Sequence, residues 1–287
     1  MKIGLFATFM SPRSTPQAIA ELARQAEDAG VDSLWMGEHV VLFDETEFPY
    51  PGSRDGKLPV PEGGGLLDVV ATFGFLAGVT ERLRFGTGIA LISQRNPVYT
   101  ATEFATLDWL TSGRMDFGVG VGWCKEEVLA CGYGWSDRGR RSDEFLELVT
   151  KLWTQPVVDH QGEFFSVTQA RMDPKPVQEP HVPIIVGGHS APAMRRAARY
   201  GAGWYGFAIN PEQTREALDQ LDSALAAEGR SRENFQIVIT PPSLRNDDVL
   251  AYRDLGVDRL VLHLGSQKPD AVARRLEEVG EHIQLVG

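Results

Sequence analysis

The sequence of 287 residues predicts an α/β fold of the closed TIM (β/α)8 barrel class, and three observations lead to that prediction. Short apolar runs alternate with longer amphipathic segments along the whole chain, which is typical of strand–helix units and a parallel sheet. Eight such pairs are present, the number that closes a barrel of about 250 residues. The first strand, around Gly4-Leu5-Phe6, also lacks the glycine fingerprint of a doubly wound dinucleotide-binding sheet.

The predicted elements alternate in order along one domain that spans residues 1–287. The strands are Lys2–Thr8, Ser33–His39, Leu83–Leu91, Arg114–Gly122, Pro183–Gly188, Trp204–Ile209, Phe235–Thr240 and Arg259–Gly265. The helices that follow them fall near Pro16–Ala29, Leu67–Val79, Val98–Leu110, Asp143–Trp153, Ala191–Tyr200, Pro211–Glu228, Asp247–Leu255 and Pro269–His282. Residues typical of helix ends support these bounds, such as Asn210-Pro211 at a start and Gly201 and Gly229 after an end.

Two segments outside the regular alternation are predicted to be insertions. Residues 40–66 follow the second strand and are rich in proline and glycine. A loop of this length at the carboxyl end of a barrel strand is typically functional, so we expect a lid. Residues 156–181 precede the fifth strand and contain a hairpin pattern that turns at His160–Gly162.

Composition excludes several classes of partner. The chain has 28 Lys and Arg against 39 Asp and Glu, so its net charge of -11 argues against nucleic-acid binding, which needs a basic surface. No run approaches the roughly 20 apolar residues of a membrane span. Cys124 and Cys131 lack zinc-site spacing and are too few for a disulfide framework. We therefore expect a cytoplasmic protein with no metal site, no nucleic-acid or membrane partner, and a small-molecule substrate.

The best catalytic candidates are Glu38 and His39, which end the second strand at the mouth of the predicted barrel. They point to opposite faces if the strand stays regular. Histidine exchanges a proton near neutral pH, and the carboxylate can charge or fix a bound group. A surface pair at a strand end is the alternative interpretation. His263, on the eighth strand, is the second histidine that could line the pocket.

Glycine recurs at every second residue of the third and fourth strands. Gly86 and Gly88 lie on the third strand, and Gly118, Gly120 and Gly122 on the fourth. Either the bare backbone admits a planar ring at the barrel mouth, or narrow packing or a bulge requires glycine there.

Anion-binding candidates lie at two helix starts. Glycines run into a helix at Gly187-Gly188-His189-Ser190, where free amides and the helix dipole favour a phosphate. Arg138, Arg140 and Arg141 precede another helix, where they either pair with nearby carboxylates such as Asp137 or serve an external anion.

Taken together, these segments resemble the bacterial luciferase-like monooxygenase family, and within it the branch of coenzyme F420-dependent oxidoreductases. The likeness covers nearly the whole chain. The motifs that carry it are Trp35-Met36-Gly37-Glu38-His39, Tyr50-Pro51-Gly52, Leu83-Arg84-Phe85-Gly86-Thr87-Gly88, Ala105-Thr106-Leu107-Asp108, Gly118-Val119-Gly120-Val121-Gly122-Trp123, Arg138-Gly139-Arg140-Arg141, Pro174-Lys175-Pro176-Val177-Gln178 and Val186-Gly187-Gly188.

The resemblance implies a flavin or deazaflavin in the barrel mouth, with its phosphate near the fifth strand. Glu38 and His39 match the catalytic acid–histidine pair, and Gly88-Ile89 matches a bulge that holds a non-proline cis peptide in relatives. The cofactor-binding positions that it implies are Glu38, His39, Thr87, Gly88, Ile89, Gly120, Gly122, Trp123, Gly187, Gly188, His189 and Ser190. Trp123 replaces the catalytic carboxylate of the family's sugar-phosphate dehydrogenases, which favours an apolar or aromatic substrate.

The implied activity is hydride transfer between coenzyme F420 and a small organic substrate, with His39 as the proton donor or acceptor. The cofactor's acidic tail could use Arg138, Arg140 or Arg141. Relatives are often dimers, so a homodimer is expected. The alternatives are an FMN-dependent monooxygenase that uses reduced flavin and oxygen, and a non-catalytic cofactor-binding protein on the same fold. A metal-dependent hydrolase is disfavoured because no His-x-His or His/Asp cluster stands at the strand ends.

Overall fold

Parallel strands close into a barrel with helices on its outside, which confirms the predicted fold class. The computed structural model describes residues 1–53, 55–265 and 268–286. The strands are β1 (Lys2–Phe6), β2 (Ser33–Met36), β3 (Arg84–Thr87), β4 (Ala90–Leu91), β5 (Met115–Gly120), β6 (Val158–Gln161), β7 (Ser166–Ala170), β8 (Ile184–Gly187), β9 (Gly203–Phe207), β10 (Gln236–Thr240) and β11 (Arg259–His263). The main sheet runs β3-β2-β1-β11-β10-β9-β8-β5-β4, and pairing of β3 with β5 closes it.

The helices lie between the strands along the chain. They are α1 (Pro16–Asp28), α2 (Val69–Ala77), α3 (Pro97–Leu110), α4 (Lys125–Ala130), α5 (Arg138–Thr154), α6 (Ala191–Tyr200), α7 (Pro211–Ala227), α8 (Asn246–Asp254) and α9 (Pro269–Val286), with a 3-10 turn at Ile92–Gln94. Proline stands in the first turn of α1, α3, α6 and α7, where its missing N–H costs nothing.

Several predicted bounds are wrong. The second strand ends at Met36 rather than His39, so Glu38 and His39 follow the strand instead of ending it. The third predicted strand is interrupted between β3 and β4, where the peptide bond between Gly88 and Ile89 is cis. The short helix α4 was not predicted. Helix α5 begins at Arg138 rather than Asp143, because the positive charge in its first turn is matched locally: Arg141 pairs with Asp137.

Side chains alternate between the inside of the barrel and the layer under the helices. Leu34, Phe117 and Ile184 belong to the large apolar cluster between strands and helices. Trp35, Ile185 and Tyr205 belong to a second cluster that fills the barrel itself. The barrel is therefore a packed core, and a ligand has room only at its ends.

The amino-terminal end of the barrel is closed by buried ion pairs. Arg259 binds Asp32 at 2.8 Å and Asp116 at 3.0 Å, and Arg84 binds Asp116 at 2.7 Å. Burial alone would raise the pKa of Asp32, but Arg259 and Lys2 lower it below its usual range. Because paired charges occupy this end, we expect the active site at the carboxyl ends of the strands.

The two segments predicted as insertions differ in structure. The described part of 40–66 forms turns and bends, with one isolated bridge between Leu66 and Met10; Arg54 lies outside the described residues. Residues 156–181 contain the expected hairpin, β6 with β7, but its turn lies at residues 162–165, later than predicted. Glu144 of α5 accepts the amides of Glu163, Phe164 and Phe165 and so fixes this turn to the barrel.

Two further features of the described residues bear on partners. No helix among them is long and apolar enough to cross a bilayer. In the same part of the chain, no group of three His, Cys, Asp or Glu side chains is arranged to hold a metal ion.

Candidate active site

His39 lies just beyond the carboxyl end of β2 and is held by a buried carboxylate. Its Nδ1 lies 2.8 Å from Oε2 of Glu127, whose side chain is 0% exposed, while the imidazole is 11% exposed. A carboxylate accepts hydrogen bonds, so Nδ1 carries the proton in the neutral ring and Nε2 keeps a free lone pair. The contact with Glu127 therefore leaves Nε2 as the nitrogen of His39 that can act as a base.

Glu127 is a functional candidate that sequence reasoning missed. It lies in α4, within a Lys-Glu-Glu run that reads as a solvated turn. Its Oε1 also accepts the amide of Val40 at 2.6 Å and that of Val41 at 3.4 Å. The available signal was position, because α4 directly follows the carboxyl end of β5, where barrel enzymes place catalytic groups.

Glu38 contacts partners different from those of His39. Its carboxylate accepts the amide of Leu91 at 2.7 Å and forms a buried ion pair with Arg95. Burial lowers the pKa of Arg95, but the hydrogen bond and charge of Glu38 outweigh it and raise that pKa above its usual value. Both oxygens of Glu38 are thus engaged, by the guanidinium of Arg95 and by the backbone of β4.

The glycine faces of β3 and β5 are filled rather than bare. A Cβ on Gly118 would lie 1.7 Å from the carbonyl oxygen of Thr87, and one on Gly120 would lie 1.9 Å from Cδ1 of Ile89. The hydroxyl of Thr87 donates to the carbonyl of Gly118 at 2.6 Å. Of the two interpretations, narrow packing explains Gly118 and Gly120. Thr87 and Gly120 thus lie behind the surface that a ligand can reach.

Ile89 supplies that surface at the centre of the mouth. Its side chain is half-buried against the inner cluster, and its Cγ2 would lie 2.9 Å from a Cβ on Gly187. Gly122, at φ +72°, turns the chain from β5 toward Trp123. Glycine at positions 120 and 187 makes room for the Ile89 side chain, which becomes an apolar platform.

Aromatic side chains stand on two sides of this platform. The Trp123 ring lies 5.8 Å from His39 and 5.5 Å from Tyr50 of the 40–66 segment. Across the mouth, His263 lies 5.2 Å from Phe6 and 5.7 Å from Phe207. The mouth therefore offers flat apolar walls and two imidazoles.

The turn before α6 forms the candidate anion end. Gly188, His189 and Ser190 are exposed, and Gly188 has φ +115°, a conformation that glycine adopts without strain. Ser190 caps α6 by accepting the amide of Ala193 at 3.4 Å. Exposed backbone at the start of this helix can meet an anion.

The structure separates the three arginines at the start of α5. Arg140 pairs with Glu163 at 2.6 Å. Arg141 is buried, pairs with Asp137 and donates to the carbonyl of Ser93 at 2.9 Å. Arg138 lies 3.7 Å from the Trp135 ring, and its Nε is buried without a partner among the described residues. Nη1 of Arg138 donates to the carbonyl of Trp135 at 3.1 Å, and no carboxylate among the described residues pairs with this guanidinium, so Arg138 is the member of the set that keeps capacity for an external anion.

The segment predicted as a lid is docked on residues 123–135. Glu47 forms an ion pair with Lys125, and its amide donates to Glu126 at 3.0 Å. Phe48 stacks on Trp135, with the ring centroids 5.6 Å apart. Together with the contacts of Tyr50 and Val40, these interactions hold the segment against the side of the mouth that carries His39.

Comparison with known sequences identifies a whole-chain match. A family model described as luciferase-like monooxygenase matches residues 1–285. An uncharacterized protein of Mycobacterium tuberculosis is 30% identical over 276 residues, which cover 96% of each chain. The F420-dependent glucose-6-phosphate dehydrogenase of Amycolatopsis mediterranei is 27% identical over 71% of this chain and 56% of its own. The FMNH2-dependent dimethylsulfone monooxygenase of Pseudomonas putida is 32% identical over 54% of this chain and 44% of its own.

Solved structures share the fold at lower identity. An F420-dependent secondary alcohol dehydrogenase in complex with an F420-acetone adduct superposes with a TM-score of 0.81 at 19% identity, covering 100% of this chain and 99% of its own. Monooxygenase RslO1 from Streptomyces bottropensis superposes with a TM-score of 0.78 at 22% identity, covering 99% of both chains.

Proposed function

Because the chain belongs to the luciferase-like monooxygenase family, whose members are oxidoreductases, we propose that it is a coenzyme F420-dependent oxidoreductase of a small apolar or aromatic substrate. The observation that carries the proposal is the imidazole of His39, held by Glu127 at 2.8 Å with Nε2 free, beside the mouth of the barrel. Proton transfer at a reacting oxygen accompanies hydride transfer at the neighbouring carbon, and a histidine is suited to that role.

The residues present fit a flavin or deazaflavin. A flat ring needs an apolar platform, which Gly88 and Ile89 supply above Tyr205, and walls such as Trp123. The cofactor's phosphate needs donors, which the amides of the exposed His189 and Ser190 can supply; the amide of Gly188 donates to the carbonyl of Tyr205 at 3.4 Å. When bound, a deazaflavin supplies the hydride acceptor or donor. In this arrangement Glu38, Thr87 and Gly120 would support the surface from behind.

The chain's own residues handle the proton and exclude water. In the oxidative direction the hydroxyl of the substrate gives its proton to Nε2 of His39, and in the reductive direction the imidazolium returns it. Tyr50, Trp123 and Phe207 surround the mouth with apolar surface, and the docked 40–66 segment closes one side. Exclusion of water strengthens the charge interactions on which the proton transfer depends.

Titration of the purified protein with coenzyme F420 and with FMN, followed by fluorescence, tests the proposal. We expect F420 to bind at least about tenfold more tightly, which corresponds to about 1.4 kcal/mol. We also expect reduction or oxidation of a panel of small alcohols and ketones without oxygen uptake. The likeness to a dimethylsulfone monooxygenase favours FMN as the second candidate, and oxygen consumption with reduced FMN would establish it. Tight cofactor binding without turnover of any substrate would instead support a non-catalytic cofactor carrier.

Arg138 is the arginine that we expect to meet the acidic tail of F420. Replacing Arg138 by glutamine should weaken F420 binding about 5- to 30-fold, the loss of one charge-assisted contact of about 1–2 kcal/mol, and should reduce its salt dependence. Arg140→Gln is the matched control, because Arg140 is exposed and already paired with Glu163. Equal affinities for wild type and both variants, with equal salt dependence, would show that the tail lies elsewhere.

The expected homodimer has a candidate surface on α2 and α3. Helix α2 contains no charged residue, and both acidic residues of α3, Glu103 and Asp108, are engaged within the chain. Apolar side chains on the outer faces of the two helices are exposed: Phe75 43%, Val98 40%, Tyr99 74%, Trp109 59% and Leu110 59%. A helix that is apolar all round is normally buried, and a surface without charge can pack against its own copy about a two-fold axis.

Trp109→Glu is expected to convert the dimer to a monomer, because the substitution places a charge at the centre of a desolvated contact. Mass from light scattering at micromolar concentration measures the change. Leu285→Glu, an exposed position on α9, is the control and should leave the dimer intact. A wild-type monomer, or a dimer that survives Trp109→Glu, would contradict this surface.

A further inference from the structure

We propose that Glu127 is the positioning residue of His39: its buried carboxylate fixes the imidazole tautomer that leaves Nε2 as the base and carries the counter-charge when that nitrogen is protonated. The consequence for turnover rests on the proposed function. The effect on the imidazole itself does not.

The two oxygens of Glu127 have separate partners. Oε2 faces Nδ1 of His39 at 2.8 Å, and Oε1 accepts the amide of Val40 at 2.6 Å. Val40 directly follows His39, so one carboxylate holds both the backbone and the ring at this point of the chain. The ring cannot rotate about its side-chain bonds without breaking the contact with Oε2, and Nε2 is therefore kept in one direction.

The charge of Glu127 has no permanent cation beside it among the described residues. Its neighbour Lys125 pairs with Glu47, and the nearby Arg95 pairs with Glu38 and Glu103. Two further titratable groups close to it are the thiols of Cys124 and Cys131, whose pKa values are raised by burial; the charge of Glu127 also raises both, while its backbone amide lowers that of Cys124. A buried carboxylate is costly unless it is compensated, and His39 is the partner that can become positive.

The two ring nitrogens of His39 therefore have distinct roles. Nδ1–H stays directed at Glu127 in both protonation states, while the proton exchanged with the substrate enters and leaves at Nε2. When Nε2 is protonated, the imidazolium and Glu127 form a buried ion pair, which stabilises the charge that develops during the reaction. The same division of roles exists wherever a carboxylate orients a catalytic histidine.

Substitution by glutamine makes a sharp test because the backbone fixes how the amide must sit. The amides of Val40 and Val41 are donors, so they hold the glutamine oxygen where Oε1 now lies. The glutamine NH2 group then faces Nδ1 of His39 and donates to it. Nδ1 must become the acceptor, and the ring proton moves to Nε2, so the base is lost without removal of the histidine.

The experiment is ¹⁵N NMR of the cofactor-free protein labelled at histidine, at a pH at which the ring of His39 is neutral. The spectrum shows which ring nitrogen carries the proton. We expect His39 of the wild type to have a protonated Nδ1 and an unprotonated Nε2, and Glu127→Gln to reverse the two. Glu126→Gln is the matched control, since Glu126 contacts Glu47 and not His39, and should keep the wild-type tautomer. Glu127→Asp, which keeps a carboxylate, should keep it as well.

Protonated Nε2 in the wild type would overturn the proposal without any variant, as would an unchanged tautomer in Glu127→Gln. The activity arm separates it from the proposed function. We expect Glu127→Gln to lower kcat about 10²- to 10⁴-fold with little change in KM, and Glu127→Asp to recover part of the loss. A reversed tautomer with unchanged kcat would support the assignment of Glu127 as the group that orients the ring, but would remove His39 from the reaction and so refute the mechanism.

Discussion

Replacing His39 by alanine is expected to lower turnover by about 10²- to 10⁴-fold, the contribution of a positioned general acid or base, while cofactor affinity stays close to that of the wild type. The reason is the geometry at the end of β2. His39 contributes the imidazole that Glu127 holds beside Trp123, whereas Ile89 and the 187–190 turn provide the surfaces that we expect to hold the cofactor. Steady-state kinetics and cofactor titration on the same preparation measure both quantities.

His39→Asn separates loss of the base from loss of a partner for Glu127. Alanine leaves a buried carboxylate without its side-chain donor, which alone costs about 1–3 kcal/mol of folding stability. The asparagine NH2 group can still donate to Glu127 but supplies no base. We expect both variants to be equally inactive and asparagine to be the more stable. His181→Gln, near the amino-terminal end of β8, controls for loss of a histidine. Wild-type turnover in His39→Asn, with cofactor bound, would exclude the imidazole as the proton carrier.

Replacing Glu38 by alanine is expected to destabilise the protein by about 3–5 kcal/mol, because removing one partner of a buried ion pair leaves the other charge uncompensated. The Glu38 side chain is 3% exposed and that of Arg95 is 13% exposed. The carboxylate also accepts the amide of Leu91, so the backbone of β4 loses its side-chain acceptor. Denaturant unfolding of wild type and variant gives the free-energy difference directly.

The double variant Glu38→Leu/Arg95→Met distinguishes a packing role from a catalytic one. An apolar pair of similar volume replaces a buried ion pair at little cost in stability, so the free energy lost through the uncompensated charge of Arg95 should return, while the Leu91 amide still lacks its acceptor. Turnover per folded molecule should return with it, since both oxygens of Glu38 are engaged by Arg95 and the amide of Leu91. A stable double variant that lacks activity would instead restore Glu38 to the catalytic set that the sequence predicts.

The barrel could be predicted because its signal is local and repeated. Each strand is a short apolar run and each helix has its own end residues, such as Asn210 before Pro211, so the architecture does not depend on any single contact. Strand alternation does not account for the different partners of Glu38 and His39, because β2 ends at Met36. The cis peptide at Gly88–Ile89 was expected from the family resemblance, and the structure contains it.

The partners of the site residues could not be predicted, because they come from distant parts of the chain. Glu127 is 88 positions from His39, and Glu163, which pairs with Arg140, comes from the hairpin turn. The role of the glycines in β3 and β5 could not be predicted for the same reason. Whether a bare backbone faces a ligand or a neighbour depends on where Ile89 and the carbonyl of Thr87 lie, and that is set by the closure of β3 on β5.

The docking of the 40–66 segment on residues 123–135 has a consequence for engineering new substrate ranges. Glu47, Phe48 and Tyr50 of the segment meet Lys125, Trp135 and Trp123 across a single seam. A loop transplanted alone would keep the amide contacts to Glu127, which need only its backbone, but its side chains would meet partners at this seam that do not match them. The unit of exchange between relatives is therefore the loop together with the chain from Trp123 to Trp135, and chimeras that cross over inside this pair should fold with the loop undocked.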